Sequence, residues 1–354
     1  MLQTHTVPDA EAFEEIAAET EEARVLEDPA DDTSIEQPGD DREINEDLEV
    51  TVEVTATLND ATNKGSQCDF RAGYVDVTRQ DGLRKVGTLT GMDVDTFMLL
   101  LSILRPEYVK RQGQKMFSVK GLGFENCVLL TVAKLRHNFT NSVVAMLFDV
   151  SATSATDAFR NMIALMSYVF QQINIWPEVY DQSKPVVIVD CTEIKVSRPS
   201  DPTLQAHTYS TYKSNNTVKF MIGITPAGRL SFVSDGYSGS TSDQKVFMKS
   251  GIVRKLRPGD IVMADRGFNV QDLLACHDVH VVTPAFLRGK AQLTPAELAM
   301  SRSITRVRIH VERMIGLLKT FTFLRSSVDA NYVCLLGDIF RAICLVCGLQ
   351  YSVM

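Results

Sequence analysis

Two apolar runs that each end in an aspartate constrain the fold of this chain most strongly. The first is VVIVDCTEIKV at residues 186–196, where four β-branched residues precede Asp190, and the second is DIVMADRGF at 260–268, which contains Asp265. Continuous apolar runs of this length are typical of strands buried on both faces, and open sheets carry functional groups at the carboxyl ends of their strands. One such aspartate alone is more simply explained as a turn residue, so the pair carries the prediction.

If these two strands are neighbours, Asp190 and Asp265 face each other across roughly 5 Å at the same end of a sheet. Two carboxylates so close repel each other unless they share a hard cation such as Mg²⁺. A third acid, Glu312, lies in RIHVERMIGLLK, where helical spacing places Val311, Ile315 and Leu318 on one apolar stripe. The adjoining face carries Arg308, Glu312 and Lys319, and an ion pair of Glu312 with Arg308 or Arg313 is the simpler alternative for that acid.

The order of patterns along the chain predicts four parts. Residues 1–60 are acidic, low in aromatic residues and interrupted by Pro and Gly, which is typical of a disordered tail, and residues 61–90 stay unassigned. Residues 91–175 predict helices, the first of which we expect to end at Pro106. Residues 180–352 predict an α/β domain with a mixed sheet flanked by helices, including a helix over 294–322 and a last apolar helix over 330–349.

Within the helical part, the segments GFENCVLLTVAKLRHN, NSVVAMLFDV and SATSATDAFRNMIALMSYVF have the layout of a helix-turn-helix. The third segment would lie in the major groove of DNA, and it offers the polar side chains Ser154, Thr156, Asp157, Arg160 and Asn161. A plain helical bundle is an equally good interpretation of the same pattern.

Charge is distributed unevenly along the chain. The net charge is −8, but residues 1–50 hold 18 acidic side chains against two basic ones, so the remaining residues are net basic. A basic body indicates a polyanionic partner, and the acidic tail either solvates the protein, recruits another protein or competes for the basic surface. Seven scattered cysteines favour a reducing compartment, and no apolar run is long enough for a membrane span, so we expect a soluble intracellular protein.

Five blocks in one order closely resemble a known family. The blocks are DCTE, YKSNNTVKF, GSTSDQK, MADRGF and RIHVER, and together they resemble the DDE superfamily endonuclease domain of Harbinger-like transposases. The segment at 120–170 resembles the helix-turn-helix that precedes this domain. The resemblance covers about residues 90–350.

The resemblance implies a ribonuclease-H-like fold whose acidic triad binds two Mg²⁺ or Mn²⁺ ions and cuts or joins DNA strands. Asp190 and Glu312 are then the first and last acids. The second is Asp265 by its mirrored strand position, while Asp243 in GSTSDQK is the other acid of the family pattern and an additional candidate ligand. One ion would activate a water or a 3′ hydroxyl, and the other would stabilise the leaving oxygen.

Basic residues near these blocks are candidates for holding DNA phosphates, with ordinary surface cations as the alternative; they are Lys213, Lys219, Arg266, Arg308 and Lys319. Tyr209 and Tyr212 have a spacing more typical of structural tyrosines. No zinc-finger pattern lies upstream, so recognition of element ends would fall to the helix-turn-helix or to a separate DNA-binding protein.

Two other functions compete with an active nuclease. A domesticated, catalytically inactive DNA-binding or scaffold protein would keep the fold and bind DNA without metal-stimulated turnover. A phosphohydrolase of the haloacid dehalogenase kind also begins with a strand-terminal Asp, but its second acid would fall at Thr192. For the nuclease we expect residence in the nucleus and assembly into a homo-oligomer on DNA.

Overall fold

The computed structural model describes residues 75–111, 122–178, 180–181, 184–265, 267–283 and 308–353. The predicted acidic tail, Arg266 and residues 294–307 of the predicted helix lie outside this range.

Five helices lie in the helical part within the residues that the structure describes. They are α1 (Gln80–Thr90), α2 (Val94–Arg111), α3 (Phe124–His137), α4 (Asn141–Phe148) and α5 (Ala152–Gln172). Helices α3 to α5 confirm the three predicted segments, and α1 supplies structure for part of the segment that the sequence left unassigned. Thr140 and Ser151 cap α4 and α5, because their hydroxyls accept hydrogen bonds from the amides of Val143 and Ser154.

The prediction that Pro106 ends a helix is wrong. Helix α2 continues through Pro106 to Arg111. A proline inside a helix removes one backbone donor, but the turn after it is joined by ion pairs of Glu107 with Lys110 and Arg111, at 3.4 and 2.8 Å.

The sheet confirms the predicted mixed α/β class, and it is consistent with a ribonuclease-H-like fold. Its strands are β1 (Val187–Lys195), β2 (Tyr209–Ser210), β3 (Asn215–Ile224), β4 (Leu230–Val233), β5 (Tyr237–Ser238), β6 (Ile261–Ala264) and β7 (His280–Val282). The order is β2-β3-β1-β6-β7, and β4 and β5 also pair with β3. Strands β1 and β3 are antiparallel, whereas β6 runs parallel to both β1 and β7.

Helices cover both faces of this sheet. They are α6 (Pro202–Thr208), α7 (Asp243–Lys249), a 3₁₀ helix (Ile252–Lys255), α8 (Gln271–Ala275), α9 (residues 308–319), α10 (Thr322–Arg325), α11 (Ala330–Val333) and α12 (Leu336–Val353). Strand residues Ile188 and Ile222 face one core, which also contains the buried residues of α2 to α5, α9 and α12. Val187 and Met221 face a second core on the α7 side. The rings of Phe220 and Phe340 stack at 4.1 Å and join β3 to α12.

Among the described residues no single helix is both long and apolar enough to cross a membrane. The two helices Gly82–Thr90 and Val94–Arg111 reach the required length and apolar content only when they are taken together, and they are bent by 89° relative to each other.

Candidate active site

Asp190 and Asp265 lie at matching positions along two neighbouring strands. Strands β1 and β6 are parallel, and Val189 is opposite Ala264, so the next residue of each strand is an aspartate. This register confirms that the two apolar runs lie side by side. Asp190 is not at the end of its strand, however, because β1 continues to Lys195 by pairing with β3. It lies where the parallel pairing ends and the antiparallel pairing continues.

The Asp190 carboxyl is largely buried, and burial raises its pKa to about 6. Its Oδ1 accepts a hydrogen bond of 2.7 Å from the Cys191 amide, which together with the charge of Arg308 favours the ionised form. The charges of Asp265 and Asp243 act in the opposite direction. A carboxylate in this position is therefore destabilised by two acidic neighbours, and added positive charge would stabilise it.

Arg308, the first described residue of α9, connects two of the predicted catalytic acids. Its guanidinium lies 3.1 Å from Asp265 Oδ1 and 3.7 Å from Glu312 Oε1. The Arg308 side chain is only 14% exposed, whereas those of Asp265 and Glu312 are 44% and 61% exposed. The ion pair that the sequence offered as an alternative for Glu312 is thus present, and Arg308 contacts carboxylates rather than open solvent.

A second charged group lies on the α7 side of the sheet. Lys219 Nζ is 2.9 Å from Asp243 Oδ1 and 3.5 Å from Glu193 Oε1, and Thr217 Oγ1 donates to Glu193 Oε2 at 2.8 Å. Burial would lower the pKa of Lys219, but the hydrogen bond and charge of Asp243 and the charge of Glu193 raise it. Asp243 is the first residue of α7, which begins after the cap Ser242. Lys219 therefore holds Asp243 and Glu193 together.

Glu193 is a site residue that the sequence reasoning missed. It lies in β1 directly opposite Lys219 in β3. The available signal was one acid and one lysine inside two strands of mainly apolar residues, because such charges need a partner when they are buried.

Lys319 and Lys213 bring further positive charge to this region. Burial lowers the pKa of Lys319, as does the charge of Lys213, whereas the charges of Asp190 and Glu193 raise it. Lys319 thus lies within electrostatic range of both carboxylates. Of the predicted phosphate-binding residues, Lys213 is exposed, and Lys219 and Arg308 are engaged with acids. Arg266 lies outside the described residues, so its role stays a prediction.

The four acids fit a divalent cation by chemistry. Carboxylate oxygens are the ligands that Mg²⁺ and Mn²⁺ prefer. Asp243 and Asp265 act electrostatically on Asp190, and Arg308 links Asp265 to Glu312. Within the described part of the chain, no three His, Cys, Asp or Glu side chains are already arranged to hold a metal ion. Cations from the chain itself, Arg308 and Lys219, neutralise these acids instead.

In the helical part, α3, α4 and α5 position the side chains predicted to face DNA. Asp157 and Arg160 of α5 are exposed. The hydroxyl of Ser154 bonds to Ser151 at 2.9 Å, and that of Thr156 donates to the Ala152 carbonyl at 2.8 Å. Asp157 and Arg160 are therefore better placed than these two hydroxyls to contact a ligand.

Two family models match the chain. Residues 189–347 match a DDE superfamily endonuclease, and residues 120–172 match the helix-turn-helix of a DDE superfamily endonuclease. The two matches identify a DDE superfamily endonuclease domain that is preceded by a helix-turn-helix. The first match contains all four acids of the predicted site, and the second contains α3, α4 and α5. A search of curated proteins finds no match. The Harbinger-like subtype stays a prediction.

Proposed function

We propose that this DDE superfamily endonuclease is a metal-dependent DNA nuclease or strand transferase of transposase origin. The single observation that carries the proposal is the junction of β1 and β6, where the buried Asp190 carboxyl lies beside Asp265, and Arg308 links Asp265 to Glu312. A buried, charge-destabilised acid with carboxylate neighbours is a common arrangement at functional sites.

In this proposal Asp190, Asp265 and Glu312 are the catalytic acids, and Asp243 is an additional ligand. Mg²⁺ or Mn²⁺ ions, when bound, would activate the attacking hydroxyl and stabilise the leaving oxygen of a phosphodiester. Arg308 would leave Asp265 and Glu312 when a divalent cation binds, and it would then be free to hold a DNA phosphate. Lys319 and Lys213 would hold the backbone on either side of the reacting phosphate.

Nicking of supercoiled plasmid DNA in Mg²⁺ or Mn²⁺ tests the proposal without knowledge of the element's end sequence. Asp190→Asn should lower the nicking rate by roughly a hundredfold or more, because it removes a charge required only by the reaction. Asp272→Asn, at an exposed acid of α8, is the matched control and should nick at the wild-type rate. Equal nicking by wild type and Asp190→Asn would refute the assignment.

The same assay decides between the two candidates for the second acid. The proposal expects Asp265→Asn to match Asp190→Asn, because the register of β1 and β6 places these two acids at matching positions. Asp243→Asn, at the first residue of α7, should keep part of the activity. The reverse result would transfer the second catalytic role to Asp243.

One observation favours the second candidate function, an inactive DNA-binding protein. Arg308 already neutralises two of the acids, Asp265 and Glu312. That function predicts salt-sensitive DNA binding with no nicking at any Mg²⁺ or Mn²⁺ concentration.

A DNA substrate also leads us to propose residence in the nucleus and assembly into a homo-oligomer on DNA. A separate DNA-binding protein is the proposed partner for recognition of element ends. Imaging of the tagged full chain tests the first proposal, and light scattering of the protein–DNA complex tests the second.

A further inference from the structure

The turn between β2 and β3, residues 211–214, presents a tyrosine almost completely to solvent. The Tyr212 side chain is 82% exposed, and Tyr209 at the start of β2 is 41% exposed. The sequence interpretation of these residues as structural is therefore not supported for Tyr212, which has little packing to contribute. Single exposed aromatics are ordinary at protein surfaces, so the location of this ring must carry the argument.

Local hydrogen bonds order the backbone of the turn on either side of the Lys213 peptide. The Lys213 amide donates to Ser210 Oγ at 3.3 Å, and Asn215 Nδ2 donates to the Lys213 carbonyl at 2.8 Å. Ser214 has a φ of 51°, which closes the turn in the left-handed region. Lys213 Nζ lies 4.4 Å from the centroid of the Tyr212 ring and covers it with a positive charge.

The turn leads directly into the proposed reaction site. It precedes β3, in which Thr217 and Lys219 contact Glu193 and Ile222 is opposite Asp190. Lys213 also acts electrostatically on Lys319, which in turn is within range of Asp190 and Glu193. Lys213 and Lys319 thus place positive charge between the tip of the turn and the carboxylates of Asp190 and Glu193.

We propose that Tyr212 stacks on an unpaired base of the DNA that flanks the scissile phosphate, with Lys213 holding the adjacent phosphate. The proposal rests on the nuclease function proposed above. Aromatic rings beside a cation bind single-stranded DNA in this way, and each stacked base contributes about 1–3 kcal/mol. Duplex DNA has its bases stacked internally, so the ring would contact only an unpaired flank.

The strand geometry also predicts where the contacted base lies. At about 3.4 Å per residue, β3 covers roughly 24 Å between Asn215 and Ile222, the residue opposite Asp190. Bases of duplex DNA rise about 3.4 Å each and an unpaired strand can be more extended, so the same length corresponds to at most about seven nucleotides. The stacked base should therefore lie several nucleotides from the phosphate that is cut.

Fluorescence anisotropy in EDTA tests the proposal on two probes, a blunt duplex and the same duplex with a ten-nucleotide oligothymidylate overhang. Tyr212→Ala should weaken binding of the overhang probe by roughly 5- to 150-fold, which is the stacking energy expressed as affinity, and leave the blunt duplex within about twofold. Tyr212→Trp should bind the overhang at least as tightly as wild type. Lys213→Gln should weaken binding of both probes. It should also reduce the slope of log affinity against log salt concentration by about one, because one phosphate contact is lost.

Tyr168→Ala is the matched control, because Tyr168 is a half-exposed tyrosine with Arg111 4.2 Å from its ring centroid. It should leave the difference between the two probes unchanged. A 2-aminopurine base placed in the overhang should be quenched by wild type and not by Tyr212→Ala. Wild-type affinity of Tyr212→Ala for the overhang, or equal loss on both probes, would overturn the proposal.

These binding measurements do not depend on DNA cleavage. The nuclease proposal and the stacking proposal can therefore each be refuted without the other. A Tyr212 effect on binding in a protein that never nicks DNA would refute the nuclease function and leave the stacking site standing. Metal-dependent nicking without any Tyr212 effect would refute the stacking site alone.

Discussion

At the scale of the residue, burial of the Asp190 carboxyl has a consequence for stability. Burial raises its pKa from the ordinary 3.8 to about 6, against the opposing effects of the Cys191 amide and Arg308. Between these pH values the unfolded chain has released this proton and the folded chain retains it. The free energy of unfolding contributed by Asp190 therefore falls as pH rises from about 4 to 6, and the loss is complete above about 6.

Asp190→Asn should accordingly be more stable than the wild type at pH 7.5, by at most about 3 kcal/mol, and the difference should shrink at pH 4.5. Urea unfolding in EDTA at both pH values measures it. Asp272→Asn controls for the loss of an ordinary exposed acid. A stability difference between Asp190→Asn and wild type that does not change with pH would contradict the buried, protonatable state of this carboxyl.

The sequence predicted individual acids better than their partners. Asp190 and Asp265 each follow an apolar run, and the register of β1 and β6 confirms that the runs are adjacent. The pair of Arg308 with Glu312 was visible as a spacing of four residues on a helix. The contacts of Arg308 with Asp265 and of Lys219 with Glu193 depend on how α9 and β3 dock on β1, and no local pattern contains that information.

At the scale of the element, the cap of α5 makes a specific contribution to stability. Ser151 Oγ accepts the Ser154 amide at 3.0 Å and satisfies one of the free donors at the start of this helix. Ser151→Ala should lower the free energy of unfolding by about 1 kcal/mol, and Ser151→Asp should retain the wild-type value because Asp is an equally good cap. Urea denaturation followed by circular dichroism measures both. Equal loss in both variants would show that the side chain has another role there.

Helices with regular apolar spacing were predicted well, as α3, α4 and α5 show, and α4 and α5 also have a side-chain cap. The error at Pro106 arose because proline was taken as a stop signal, whereas ion pairs after it support one more turn of α2. Helix α1 was not assigned because its apolar residues are few, and its position depends on packing against α3.

At the scale of the whole molecule, the helical part and the sheet share one core. The buried residues of α2 to α5 form a single cluster with Ile188 of β1, Phe220 of β3 and the apolar face of α12. Ser167 Oγ of α5 donates to Asp338 Oδ1 of α12 at 2.7 Å across this contact. The division predicted near residues 175–180 stays a prediction about domains, and the packing indicates that the two parts unfold together.

This shared core gives a prediction for cooperativity. Phe159 of α5 is fully buried, with ring centroids 5.8 Å from Tyr332 and 6.4 Å from Phe323, while Trp176, the only tryptophan, belongs to the core on the opposite face of the sheet. Phe159→Ala should cost about 3–5 kcal/mol. If the molecule unfolds as one unit, tryptophan fluorescence and circular dichroism will report the same lowered urea midpoint.

Phe247→Ala is the matched variant in the second core, where Phe247 packs against Phe268 at 6.4 Å. It should lower the midpoint seen by both probes in the same way, because the sheet transmits the loss to both faces. Two separate transitions, with Trp176 insensitive to Phe159→Ala, would instead show that the helix-turn-helix and the sheet unfold independently. In that case the shared core would contribute little to the coupling between the helical part and the sheet.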